Sequence, residues 1–279
     1  MAITHDVDRI RKTYQHLTHL RNRSGWWHLK SLFSGDNPYW NFDRIMELEA
    51  SFGARSTFYF LQEGHRLASL SRRELAVSLG KYRFGDEPVA SIIETLDRGG
   101  WEVGLHGSYD SYRSAALLSS EKAELEDVLG HEVEGVRQHF LNLEIPRTWE
   151  IQRHAGFRYD SSLGHRDRVG FDGLPRYPVS PFHDGFLVLP LAIMDGALFA
   201  SHPSETRARE RIAKIMAEAS NEHALLVVLW HQRFLNPSEF PLQYNVYRFL
   251  LSQATRMNAW LATARRAATW WREEGLHRL

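Results

Sequence analysis

The sequence contains no cysteine among its 279 residues. The absence of thiols excludes disulfides, zinc sites built on thiolates and cysteine nucleophiles. Any metal site must therefore be built from histidine and carboxylate ligands, which suit zinc and related divalent cations.

The sequence also lacks an excess of charge of either sign, since 34 Lys and Arg residues are balanced by 34 Asp and Glu residues. Such a chain has no long-range field that attracts polyanions, so nucleic acid is not expected as a partner. No stretch approaches the roughly 18 consecutive apolar residues of a membrane span. The charged segment from Met1 to Arg11 does not resemble a signal peptide, and we expect a cytoplasmic location for the chain as written. Nothing in the sequence indicates an oligomeric state.

Short apolar runs alternate with helix-length amphipathic stretches, which predicts βα units around a mainly parallel sheet. One barrel-like domain accounts for residues 1–279. The predicted strands are Ala2 to Asp6, Ser56 to Leu61, Trp101 to His106, Gly135 to Leu141, Phe157 to Tyr159, Phe186 to Met194 and His223 to Trp230. The predicted helices are Phe42 to Phe52, Pro88 to Arg98, Ser120 to Leu129, Thr148 to Ala155 and Ser204 to Ala219, followed by one long helix or a broken pair packed on the barrel over Tyr244 to Glu274.

Aspartate and histidine residues stand where the first and third predicted strands end, and this is the catalytic end of a βα barrel. Asp6 and Asp8 close the first strand, and residues two apart on extended backbone project to the same side. His106 closes the third strand. If the chain turns helically after it, Asp110 lies on the same face and can share an ion with His106. Taken alone, features of this kind more often have a capping or structural role.

The fourth and seventh predicted strands carry polar residues to the same end. Arg137 and His139 lie on one face of the fourth strand. Either the two residues are a structural pair, or Arg137 orients a catalytic carboxylate. His231 follows a nearly all-apolar strand, at a place suited to acid or base chemistry near neutral pH. Packing alone does not explain why four strands bring Asp, His and Arg residues to one end.

In this order, the motifs resemble the NodB-homology motifs of the polysaccharide deacetylase superfamily (carbohydrate esterase family 4-like), whose fold is a distorted (β/α)7 barrel. The resemblance implies a metal-dependent hydrolase that removes an acyl group, usually acetyl, from an N-acylated sugar in a polysaccharide, oligosaccharide or glycolipid precursor. It further implies that Asp6 is the catalytic base, that Asp8 and His106 bind the metal, that Arg137 holds the base in place and that His231 is the general acid.

Two positions depart from those motifs. The family's second metal histidine, four residues after the first, is replaced by Asp110, and a proline two residues after the arginine is replaced by His139. Either residue can supply the third ligand of one divalent cation, for which zinc is expected and Co, Mn, Fe or Ni are alternatives. Asp195 and Asp160 are both candidates to orient His231 from behind.

Two long segments, residues 23–40 and 63–87, either cover the site or are packing insertions. The aromatic residues of the first are candidates for stacking on a sugar, namely Trp26, Trp27, Tyr39 and Trp40. Two other functions remain open. One is a metal-independent amide hydrolase on the same barrel, and the other is a catalytically inactive barrel that binds a glycan.

Overall fold

The computed structural model describes residues 1–13, 37–64 and 81–275. Parallel strands form one curled sheet in the order β6-β5-β4-β3-β2-β1-β8-β7. The strands are β1 (Ala2–Val7), β2 (Thr57–Leu61), β3 (Glu102–Gly107), β4 (Gly135–Gln138), β5 (Tyr159–Asp160), β6 (Leu187–Val188), β7 (Leu191–Met194) and β8 (Val227–Leu229). The predicted α/β barrel is therefore confirmed.

The sixth predicted strand, Phe186 to Met194, is corrected by the structure. It is divided into β6 and β7, which are consecutive in the chain but lie at opposite edges of the sheet. Pro190 lies between them, and proline has no N–H group for a ladder hydrogen bond. Because β6 pairs with β5 and β7 pairs with β8, this segment connects the two edges of the curled sheet, and the seven predicted strands become eight.

The fourth predicted strand also ends early. It was expected to continue to Leu141, but β4 stops at Gln138 and a 3₁₀ turn follows over His139–Leu141. Phe140 and Leu141 have positive φ angles of 58° and 52°, which extended backbone does not allow. The turn places His139 at the rim of the barrel.

The α-helices of the described residues are α1 (Phe42–Ser51), α2 (Glu87–Arg98), α3 (Ala115–Leu129), α4 (Arg147–His154), α5 (Asp195–Ser201), α6 (Glu205–Asn221), α7 (Pro241–Arg256) and α8 (Ala264–Glu273). The helix predicted from Ser120 begins five residues earlier because Ser114 caps it, accepting a hydrogen bond from the backbone N–H of Leu117. The C-terminal segment is the broken pair, α7 and α8. Within the described parts of the chain, no helix combines the length and apolar composition that crossing a bilayer requires.

Side-chain alternation along the strands divides the core into two layers. Outward-facing residues such as Ile3 and Phe58 pack with the helices. Inward-facing residues such as Tyr59 and Val227 fill the barrel together with Trp271 of α8. The backbone N–H of Arg265, at the start of α8, donates to the buried carboxylate of Glu102 (2.8 Å). Helix α8 therefore covers the N-terminal end of the barrel.

Two glycines leave room for the rings of two tyrosines inside the barrel. A Cβ atom on Gly104 would lie 2.6 Å from the ring of Tyr59, and one on Gly135 would lie 2.1 Å from the phenol group of Tyr159. Tyr159 is fully buried, and its hydroxyl donates to Glu102 (2.5 Å). Burial and this hydrogen bond therefore prevent the ring of Tyr159 from moving away from an added methyl group.

We expect Gly135→Ala to lower the free energy of unfolding by about 3 kcal/mol, at the upper end of the usual cost of overpacking a core. Gly185→Ala is the matched control, since nothing lies within 4 Å of its added methyl group. We expect that control to stay within about 0.5 kcal/mol of the wild type. Urea unfolding measures both variants, and equal values would contradict the tight packing of Tyr159.

Candidate metal centre and active site

The polar side chains converge at the C-terminal end of the barrel because of the two-residue period of the strands. Within the strands, the inward positions at this end are occupied by Asp6, His106 and Arg137. The same period continues just beyond the strand ends, where an inward residue is followed two positions later by Asp8, His139 or His231. The two-residue period of the strands thus explains why six predicted residues lie around one centre.

Asp8, His106 and His139 each offer a ligand atom, and these three atoms lie within 4.8 Å of one another. Nδ1 of His106 lies 2.8 Å from the carbonyl oxygen of Arg137. Because a carbonyl only accepts, Nδ1 carries a proton, and Nε2 is the nitrogen that can bind a cation or a second proton. Nε2 lies 3.4 Å from Oδ1 of Asp8 and 3.5 Å from Oδ2 of Asp6. A lone pair that faces two carboxylates is stable only with a cation or a proton between them.

Two further observations show that these residues fit a divalent cation. Oδ1 of Asp8 is buried and has no hydrogen-bond partner among the described residues, which is costly unless a cation satisfies it. Burial lowers the pKa of His139 by more than neighbouring carboxylates raise it, so the neutral, metal-binding imidazole is favoured. A set of one carboxylate and two imidazoles suits zinc.

Asp110, the other candidate for the third ligand, lies apart from this group. Its side chain is 35% exposed and contacts Arg113, with 2.7 Å between carboxylate oxygen and Nη2. After β3 the chain enters a 3₁₀ turn, Ser111–Arg113, instead of the helical turn that would align Asp110 with His106. The structure therefore brings His139, and not Asp110, to Asp8 and His106.

Asp6 is held by Arg137, which is completely buried. The Arg137 guanidinium donates to Oδ1 of Asp6 (2.9 Å) and to Thr4 (2.7 Å), and it is anchored from behind by two hydrogen bonds to Ser161. It also lies 4.6 Å above the ring centre of Tyr59. Burial raises the pKa of Asp6, but the charges of Arg137 and His106 outweigh that effect and leave the pKa below its usual value.

His231 is oriented by Asp195. Nδ1–H of His231 donates to Oδ1 of Asp195 (2.8 Å), and the backbone N–H of His231 donates to Oδ2 (2.6 Å). Nε2 therefore faces the site, 3.7 Å from Oδ2 of Asp8. Burial lowers the pKa of His231, yet the carboxylates of Asp195 and Asp8 leave it above its usual value. Asp160, the competing candidate, instead binds Ser162 and Gln152.

Two charged residues at the site were not among the predicted ones. Arg233 donates to Oδ2 of Asp8 (2.5 Å), and Glu63 lies 3.4 Å from Nδ1 of His139. Glu63 follows the inward residue Leu61 by two positions, so the period that indicated Asp8 could also have indicated Glu63. Arg233 is the second residue of a 3₁₀ turn, Gln232–Leu235, whereas His139 is the first residue of its turn and directly follows extended backbone. The period therefore reaches His139 but not Arg233.

Of the four predicted sugar-stacking residues, the two that the structure describes do not form an open surface. Trp26 and Trp27 lie outside the described residues. Tyr39 is fully buried, and Trp40 is half-buried with its ring edge-on to Phe42 (5.0 Å between centroids). An aromatic ring that does lie open beside the site is that of Phe140, which is 39% exposed and contacts His139.

No protein-family model matches the sequence, and no curated protein matches it. Solved structures do match. A Mycobacterium smegmatis protein classed as a polysaccharide deacetylase aligns over 98% of this chain and 90% of its own, with a TM-score of 0.65 and 16% identity. The chain has the fold of the polysaccharide deacetylase superfamily. The PuuE allantoinase shares it, with 98% and 90% coverage, a TM-score of 0.64 and 13% identity.

The polysaccharide deacetylase fold also includes inactive proteins. A CE4 family pseudoenzyme from Bacillus anthracis aligns over 96% of this chain and 64% of its own, with a TM-score of 0.51 and 9% identity. A mutant of that pseudoenzyme has restored enzymatic activity. At these identities the neighbours establish the fold that the motif order indicated, and activity has to be argued from the site.

Proposed function

We propose that this protein is a metal-dependent amide hydrolase that removes an acyl group, with acetyl as the first candidate, from an N-acylated sugar. The observation that carries the proposal is a group of three possible ligand atoms within 4.8 Å of one another, with Asp6 and His231 beside them. Oδ2 of Asp6 lies 3.5 Å from Nε2 of His106, and Nε2 of His231 lies 3.7 Å from Oδ2 of Asp8. His106 and Asp8 are two of the three proposed metal ligands.

Asp8, His106 and His139 are the residues that would hold the cation. When bound, a divalent cation lowers the pKa of water and polarises a carbonyl group. Zinc suits this set of ligands, and Co, Mn, Fe and Ni are alternatives.

Asp6 and His231 divide the proton transfers. The lowered pKa of Asp6 keeps its carboxylate ionised, so it can accept the proton of the attacking water as oxygen bonds to the acyl carbon. The raised pKa of His231 favours the protonated ring, which donates from Nε2 to the departing amine nitrogen as the C–N bond breaks. Arg137 and Asp195 hold these two groups in position. The products are a carboxylic acid and a free amine.

Two neighbouring structures favour other functions strongly enough to test. One alternative is a metal-independent amide hydrolase on the same barrel, and the match to an allantoinase supports hydrolysis on this fold by a protein other than a deacetylase. The other alternative is a catalytically inactive barrel that binds a glycan, and the match to a pseudoenzyme supports the absence of catalysis. Oδ1 of Asp8 is buried without a hydrogen bond among the described residues and lies beside two imidazoles, and neither alternative accounts for this as directly as a cation does.

The test measures the metal content of the purified protein together with acetate release from N-acetylglucosamine oligomers, before and after chelation and after zinc is restored. We expect about one divalent cation per chain and acetate release that chelation stops and zinc restores. Release that survives chelation would support the metal-independent hydrolase. Binding of the oligomers without release, in the zinc-loaded protein, would support the inactive barrel.

A further inference from the structure

We propose that Glu63 is a positioning residue for the cation site, because its carboxylate holds His139 in the tautomer and orientation that present Nε2 to the cation. This inference rests on the proposed metal site. It assigns a role to a residue that lies outside the motifs which indicated the site.

Glu63 is a buried carboxylate that points into the site. It lies just after β2 and is 7% exposed. Oε2 accepts a hydrogen bond from the backbone N–H of Tyr109 (2.9 Å) and lies 3.4 Å from Nδ1 of His139. A buried carboxylate is stable only when such donors surround it.

The sheet register explains why Glu63 reaches His139. Leu61 pairs with His106 across β2 and β3, and His106 pairs with Arg137 across β3 and β4. Moving two residues along the chain from Leu61 and from Arg137 gives Glu63 and His139. Both therefore belong to the next inward layer, at the level of the cation site.

His139 needs an external group to select its tautomer. The ring is packed beside His106 (5.2 Å between centroids) and Phe140 (4.5 Å), and neither ring contact distinguishes Nδ1 from Nε2. A carboxylate only accepts, so the contact with Glu63 places the proton on Nδ1 and leaves the lone pair on Nε2. His106 is oriented in the same way, but by the carbonyl oxygen of Arg137. A carboxylate partner also increases the basicity of the ring as a ligand.

Glu121 provides a matched control. It is 4% exposed, and Oε2 accepts a hydrogen bond from the backbone N–H of Ser108 (3.1 Å), one residue before the donor to Glu63. Burial raises the pKa of Glu121 to about 7. Both glutamates thus anchor the segment after β3, but the carboxylate in contact with His139 is that of Glu63.

The experiment measures the zinc affinity of the full chain by competition with a chromophoric chelator. We expect Glu63→Ala to weaken zinc binding by about 10–100-fold, the usual cost of losing a partner behind a metal ligand. We expect a smaller loss for Glu63→Gln, because the amide oxygen still accepts from Nδ1–H, and wild-type affinity for Glu121→Gln. A lower melting temperature with unchanged zinc affinity in Glu63→Ala would overturn the inference.

Imidazole ¹⁵N NMR of the zinc-loaded wild type provides a test that needs no variant. We expect Nδ1 of His139 to be protonated and Nε2 to be coordinated, and coordination through Nδ1 would overturn the inference. Failure of the wild type to bind zinc would reject the proposed function itself. Tight zinc binding by the wild type and by Glu63→Ala alike would reject only the role of Glu63.

Discussion

Replacing Asp6 with asparagine should leave about one cation bound per chain while acetate release falls by about 10²–10⁴-fold, the range for loss of a general base. Asparagine keeps an oxygen that can accept from Arg137, so the arginine remains in place. It cannot accept a proton from water. Metal analysis and an acetate assay on the same preparation measure the two effects separately.

Glu102→Gln is the control for this variant. It also neutralises a buried carboxylate, but one that binds Tyr159 and Thr57 at the opposite end of the barrel. We expect it to retain both metal and activity. If Asp6→Asn lost metal to the same extent as His106→Ala, the division of roles between Asp6 as base and Asp8 as ligand would be refuted.

Replacing His139 with alanine should weaken zinc binding by more than the ~100-fold that marks the loss of an outer partner, because a donor atom itself disappears. Activity should fall with the metal and recover only in part when zinc is added in excess. Titration of both zinc binding and acetate release against zinc concentration measures the effect.

Asp110→Ala is the comparison that decides the identity of the third ligand. Asp110 is partly exposed and pairs with Arg113, so its replacement should leave zinc affinity and activity near wild-type values. The opposite result, in which Asp110→Ala loses the metal and His139→Ala keeps it, would mean that the segment after β3 rearranges when the cation binds.

The sequence predicted the part of the site that depends on strand alternation. A period of two is a fixed property of extended backbone, so Asp6, Asp8 and Arg137 could be assigned to the inner face once the strand ends were recognised. Barrel architecture followed from the same pattern, because short apolar runs separated by amphipathic stretches have few other ways to bury both faces.

The features that were not predicted depend on backbone geometry beyond the strands. Whether Asp110 or His139 faces the cation depends on the 3₁₀ turns that follow β3 and β4, and a positive φ at Phe140 is not expected for a bulky residue. The division at Pro190 depends on both sheet edges meeting there, which involves residues far apart in sequence. Glu63 begins the long segment 63–87, for which no ligand was predicted. Its spacing of two residues from Leu61 nevertheless indicates that it faces the inside of the barrel.

The strand-end position of His139 has an evolutionary consequence. In chains whose two metal histidines are four residues apart, both ligands lie on one local segment and can be inherited together. Here the histidine that we propose as the second one follows a different strand, β4, and the acidic residue that we propose to support it follows a third strand, β2. In homologues of this chain, the residue types at positions 63 and 139 should therefore vary together. An acidic residue after β2 should accompany an Arg-x-His sequence at the end of β4, and both should be absent where a histidine occupies position 110.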